Sequence, residues 1–119
     1  MLRNFRKPLV VAAPKVGLKH PKAVSALHEL GIGTKFEPIL EKTFGDESAV
    51  ETVIFCSGKV GFDIEDRLKK ANVSGGVKMI KIEEIAPFPV QNIRDTLANV
   101  ADGARFVWVQ EEGMNQGAF

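Results

Sequence analysis

The stretch 52–59, Thr-Val-Ile-Phe-Cys-Ser-Gly-Lys, constrains the fold of this chain more than any other. Val53, Ile54, Phe55 and Cys56 form a short continuous apolar run, the pattern of a strand buried on both faces in a parallel sheet. Ser57-Gly58-Lys59 stops that strand, and Val60, Ile64, Leu68 and Ala71 then recur at helical spacing. A buried strand, a tight turn and a helix form the unit from which doubly wound α/β domains are made. Free N–H groups at such a helix start are able to hold an anion. Ser57 acting only as a cap, with Gly58 only permitting the turn, explains the same pattern without a ligand.

The flanking segments extend this unit. After a basic lead-in at 1–7, residues 8–13 (Pro-Leu-Val-Val-Ala-Ala) read as a first strand closed by Pro14. Pro21 suits a first helical turn. Ala23, Val24, Leu27 and Leu30 then predict one face of a short helix, ended by Gly31 and Gly33. Residues 35–40 read as a strand, placed at a sheet edge by Pro38, and 41–49 as a surface loop. The helix after the central strand is expected to run to about Asn72, followed by a turn at Ser74-Gly75-Gly76. Residues 77–82 make another strand and 83–89 a stiff loop. Val90, Ile93, Leu97 and Val100 mark a further helix, and 105–109 the last strand. The alternation predicts an α/β fold: a mostly parallel sheet of about five strands with helices on both faces. Ligands in such sheets sit at the strand carboxyl ends. Here those ends fall near Lys15, Ser57-Gly58-Lys59, Glu83-Glu84 and Gln110-Glu111-Glu112.

The 119 residues suffice for one domain, since domains commonly hold roughly 100–150 residues. Sixteen basic and fifteen acidic residues give a net charge of +1, which removes the charge argument for nucleic acid or an anionic membrane as partner. The basic residues that crowd toward the start (Arg3, Arg6, Lys7, Lys15, Lys19, Lys22) read as a solvated rim or as a phosphate-facing patch. No apolar run approaches the roughly 20 residues that span a bilayer. The single cysteine, Cys56, excludes an internal disulfide, and a buried strand would raise its thiol pKa, so it is a poor nucleophile.

Tests for chemistry are negative. His20 and His28 lack a third ligand at metal spacing. Ser57-Gly58-Lys59 lacks the longer glycine-flanked loop of a Walker motif, and Gly31-Ile32-Gly33 follows a helix and not a strand. Ser57 has Cys56 before it where a hydrolase elbow needs glycine. Glu83-Glu84 and Glu111-Glu112 follow strand ends, but consecutive side chains point apart. No catalytic set and no metal site is expected.

Four stretches in order and spacing resemble one family: 9–15 with the Lys-His-Pro of 19–21, then 53–59, 82–89 (Ile-Glu-Glu-Ile-Ala-Pro-Phe-Pro) and 108–119 (Trp-Val-Gln-Glu-Glu-Gly-Met-Asn-Gln-Gly-Ala-Phe). Together they resemble the C-terminal domain of 2-oxoglutarate dehydrogenase, the thiamine-diphosphate-dependent decarboxylating component, and almost as well its 2-oxoadipate relative. The resemblance implies a transketolase C-terminal-domain-like three-layer sandwich. It also implies that thiamine diphosphate and magnesium bind outside this chain, between other domains. The family enzyme decarboxylates its 2-oxo acid and passes the acyl (succinyl) unit to a lipoyl group on the lipoyl domain of the dihydrolipoyl succinyltransferase component. This domain supports the homodimer. Localisation is then the mitochondrial matrix, or the cytoplasm in a bacterium. Family domains run on past Asn-Gln-Gly, so a C-terminally truncated fragment, inactive alone, is the expectation.

Some bacterial members of the family hold acetyl-CoA or a nucleotide on this domain through a lysine after the first strand and an arginine at the start of the central one. Lys15 matches the lysine, but Thr52 stands at the arginine position and cannot supply a charge-assisted fork. Lys15, Ser57, Gly58 and Lys59 are the candidate effector-phosphate residues, which makes a nucleotide- or CoA-binding regulatory module the rival reading. A dimerisation module with an exposed apolar face is the third. Gln110, Glu111, Glu112, Asn115 and Gln116 are candidate interdomain contacts, in a segment expected to be loosely ordered without its neighbours. Two further departures from the resemblance are Gly61-Phe62, in place of paired tyrosines, and Phe119, in place of tryptophan.

Overall fold

The computed structural model describes residues 7–8, 10–13, 15–73 and 75–118. Four strands build the sheet: β1 (Ile39–Phe44), β2 (Val50–Cys56), β3 (Gly76–Ile82) and β4 (Arg105–Val109). Two helices connect them, α1 (Val60–Ala71) between β2 and β3, and α2 (Val90–Leu97) between β3 and β4. The strand order is β1-β3-β2-β4. β2 runs parallel to both β3 and β4, and β1 pairs antiparallel with β3.

This topology sets the layers. The connection through α1 carries the chain from β2 to its neighbour β3, whereas the one through α2 carries it back past β2 to β4. Crossovers of one hand that travel in opposite directions put their helices on opposite faces. The contacts agree. Lys78 on β3 donates to the Thr96 carbonyl of α2, and the buried Val50, Val53 and Ile80 pack with Leu97 and Val100. On the other face Cys56 and Lys81 lie against Gly61 of α1. Helix, sheet and helix form the three-layer sandwich that the sequence predicts. Val53, Cys56, Ile80 and Ile82 are its most deeply buried side chains.

The sheet has four strands where about five were expected. Within 8–13 the described residues carry no strand pairing, and Val10 and Val11 are exposed; Leu9 and Pro14 lie outside the described residues. Two further expectations need correction. The apolar face at 23–30 does not make an α-helix; only Leu27–Leu30 forms a single 3-10 turn. Short helices owe most of their stability to burial of one face, and here Val24, Leu27 and Leu30 are all exposed. The edge strand starts after Pro38 and extends into the expected 41–49 loop, because Lys42 and Phe44 alternate toward the α1 face while Ile39 and Glu41 share the α2 face. The expected Ser57–Gly58 turn, the helix end at Asn72 (φ 46°) and the 105–109 strand are all present. The lead-in 1–6, Ser74 of the glycine turn and Phe119 lie outside the described residues.

Candidate functional site

Two adjacent strands whose connections leave in opposite directions open a crevice at their carboxyl ends, the usual ligand position in open α/β sheets. In this chain they are β2 and β3, so the crevice lies between Ser57-Gly58-Lys59 and Glu83-Glu84. The chain's own groups occupy it. The Ser57 hydroxyl donates to the Ile82 carbonyl at 3.0 Å, tying the two strand ends together. Lys59 Nζ meets Glu111 Oε1 at 2.6 Å, which joins the start of α1 to the segment after β4. Lys81 Nζ sits 2.7 Å from Glu83 Oε1 and compensates the charge of that buried oxygen, which has no well-aligned donor among the described residues. The same ammonium lies 4.8 Å from the centre of the Phe62 ring, whose other neighbour is the stacked His20 imidazole at 4.5 Å.

Beside the crevice is a small cavity of about 170 Å³, lined by Val16, Gly17, His20, Gly58, Lys59, Phe62 and Lys81. The four candidate phosphate residues therefore divide. Gly58 and Lys59 border the cavity, Ser57 is bonded to β3, and the exposed Lys15 belongs to the adjoining 3-10 turn (Lys15–Lys19) without lining the cavity. Lys59 is held by Glu111, with Asp63 at 3.9 Å, and hydrogen bonding to Glu111 raises its pKa. Thr52 pairs with Arg105, the first residue of β4, at the amino-terminal end of the sheet and away from the crevice.

The candidate interdomain residues form an organised turn. Trp108 Nε1 donates to Gln110 Oε1 at 2.8 Å. Gln110 Nε2 faces the carbonyl oxygens of Glu112, Gly113 and Gln116 at 3.0–3.2 Å. Asn115 takes a left-handed conformation (φ 64°). The segment expected to be loose is drawn together by one glutamine side chain, while Glu111, Glu112, Asn115 and Gln116 stay exposed.

One charged cluster escaped the sequence reading. Glu65 on α1 is buried, 8% exposed, and accepts hydrogen bonds from Lys42 of β1 at 2.7 Å and Lys69 at 2.8 Å, with Lys22 at 3.7 Å. Burial alone would push its carboxyl up; the lysine hydrogen bonds outweigh burial and lower it from 4.5 to about 2. Lys22 also bonds Asp66. Lys69 lies at helical i,i+4 spacing from Glu65 and was open to detection. Lys42, 23 residues away in an expected loop, was not. Cys56 is buried, and desolvation pushes its thiol up, as expected for an inert cysteine.

The same arrangement tests the diphosphate–magnesium group. Among the described residues no three His, Cys, Asp or Glu side chains converge as metal ligands. Of the strand-end carboxylates, Glu83 and Glu111 face lysines instead. The residues present do not fit that group.

Fold and site together define a small doubly wound α/β domain whose crevice is closed by its own contacts. Residues 24–119 match the family model described as 2-oxoglutarate dehydrogenase C-terminal, and the chain belongs to that family. It is 44% identical over its whole length to a Dictyostelium discoideum protein named probable 2-oxoadipate dehydrogenase complex component E1 homolog. Over 98% of its length it is 38% identical to the human 2-oxoadipate dehydrogenase complex component E1. Over 99% it is 42% identical to the Haemophilus influenzae 2-oxoglutarate dehydrogenase E1 component. It spans only 12–13% of the length of these relatives.

Proposed function

We propose that this chain serves as the C-terminal supporting domain of an E1-type 2-oxo acid dehydrogenase that acts on 2-oxoglutarate or 2-oxoadipate. In this reading it is one domain of a longer polypeptide, and it takes no direct part in the chemistry. The observation that carries the reading is the self-filled crevice. The Ser57 hydroxyl and the Lys59, Lys81, Glu83 and Glu111 charges, the groups a sheet of this topology would offer a substrate, are spent on each other and on Ile82. Thiamine diphosphate and magnesium are assigned to the rest of the polypeptide, where they supply the decarboxylation chemistry. The homodimer, the dihydrolipoyl acyltransferase partner with its lipoyl domain, and a mitochondrial-matrix location (cytoplasmic in a bacterium) belong to the same proposal, which the resemblance to the family supports. Assaying carbon dioxide release with thiamine diphosphate, magnesium and either 2-oxo acid tests it. The 119-residue chain should show none and the longer polypeptide turnover. Activity of the short chain alone overturns the supporting role.

The small cavity beside Gly58 and Lys59 favours a second reading, an effector site for a phosphate-bearing ligand such as AMP or acetyl-CoA. Such a ligand would have to break the Lys59–Glu111 pair. Calorimetric titration with both compounds decides it. Binding weakened by Lys59→Ala supports the effector site, and silence removes it.

A further inference from the structure

The segment between the cavity and β1 has inverted polarity. Its polar residues turn toward the domain: His20 stacks on Phe62, and Lys22 reaches Asp66 and Glu65 on α1. Its apolar residues turn away. Val24, Leu27, Leu30, Ile32 and Phe36 are exposed by 65% (Phe36) to 110% (Ile32). Val24, Leu30 and Phe36 also border a groove of about 930 Å³ that runs back to Met79 and Phe62. An exposed apolar surface of this kind, on a segment held to the domain by one ring stack and the Lys22 ion pairs, marks a covered interface.

We propose that this ridge docks on the domain that precedes it in the longer polypeptide. The proposal rests on the supporting-domain reading above. Two observations select this occupant over a second copy. The matched family region is C-terminal, and the relatives have nearly nine-tenths of their length outside the matched part. The ridge also lies at the N-terminal side of the domain, so the preceding body is tethered beside it. A covalent neighbour acts at roughly millimolar effective concentration, and a few apolar side chains suffice to hold it. Association of free copies needs about 20–30 residues on each side, far more than this ridge supplies.

Hydrogen–deuterium exchange on the 119-residue chain and on the longer polypeptide that carries it tests the docking. Amides of 27–36 should exchange freely in the short chain and at least about tenfold more slowly in the long one. The triple substitution Leu27→Ser, Leu30→Ser, Phe36→Ser should restore fast exchange in the long polypeptide. In the short chain it should leave the midpoint of thermal unfolding within about 2 °C, since these side chains lie outside its core. Equal exchange in both wild-type forms overturns the proposal, as does a short-chain dimer, seen by sedimentation, that protects the same amides. Exchange is read independently of turnover. An active long polypeptide with an open ridge sinks the docking alone, and a protected ridge on an inactive one sinks the enzymatic reading alone.

Discussion

Glu65 shows what a single side chain contributes here. Its folded pKa is depressed from 4.5 to about 2. The stability it adds is therefore fully present above the unfolded value and is lost as pH falls through the interval between them. Glu65→Gln removes the charge, keeps the shape and leaves Lys42 and Lys69 without their counter-ion. At pH 7 this substitution should lower the unfolding free energy by about 1–3 kcal/mol. Urea unfolding across the acid range should show wild type and variant converging by about pH 2, where Glu65 is itself becoming neutral. A gap that stays constant with pH would mean that packing, and not charge, is what Glu65 supplies. Only the Lys69 part of this shows in the residue order, because α1 and β1 are brought together only by the sheet. Lys59 and Glu111, 52 residues apart, are hidden for the same reason. Ser57 was legible as a polar group at a strand end, but its partner, the Ile82 carbonyl, depends on β2 and β3 being neighbours.

At the scale of elements, legibility follows burial. β2 and β3 were readable because their apolar patterns are satisfied inside this chain, Val53, Ile80 and Ile82 on the α2 side and Cys56 on the α1 side, while α1 and β4 half-bury theirs and leave Phe106 exposed. The expected strand at 8–13 and helix at 23–30 have the same patterns, but their described apolar residues (Val10, Val11, Val24, Leu27, Leu30) are exposed, so pattern alone misled. Glycine chemistry was half legible. Gly75-Gly76 announced a turn, but Gly76 is the first residue of β3 and lies under the loop from β1. A Cβ there would fall 2.2 Å from the Asp46 carbonyl oxygen and 2.4 Å from that of Ala49, both backbone atoms that cannot swing aside. Gly76→Ala must displace either the loop or the strand start, and it should cost about 2–4 kcal/mol by chemical denaturation. Gly103→Ala, at a position with φ 94° and open space around it, meets only the backbone strain and should cost about 1–2 kcal/mol. Comparable losses at the two sites would show that the close approach at Gly76 is not what places the loop.

For the whole molecule, the core and the N-terminal segment are separable. The buried cluster of Val50, Val53 and Ile80, with Ile39, Phe55, Leu97 and Val100 around it, draws none of the described residues from before β1. Among the described residues before Glu37, His20 stacks on Phe62 and Lys22 pairs with Glu65 and Asp66; the Pro38 carbonyl, which accepts from Glu83 and Glu84, belongs with the sheet. Exposed pairs add roughly 0–1 kcal/mol and an aromatic stack about 0.5–1.5 kcal/mol, whereas Ile80→Ala in the core should remove about 2–5 kcal/mol. A chain that begins at Glu37 keeps Pro38 and the whole sheet. It should unfold cooperatively with unchanged strand content by circular dichroism, within about 2 kcal/mol of the full 119 residues. It should also be the more soluble of the two, since Val24, Leu27, Leu30 and Ile32 leave with the segment. Collapse of the shortened chain would mean that the segment before β1 is part of this domain's own stability. Survival would mean that its apolar side is kept for something beyond the domain.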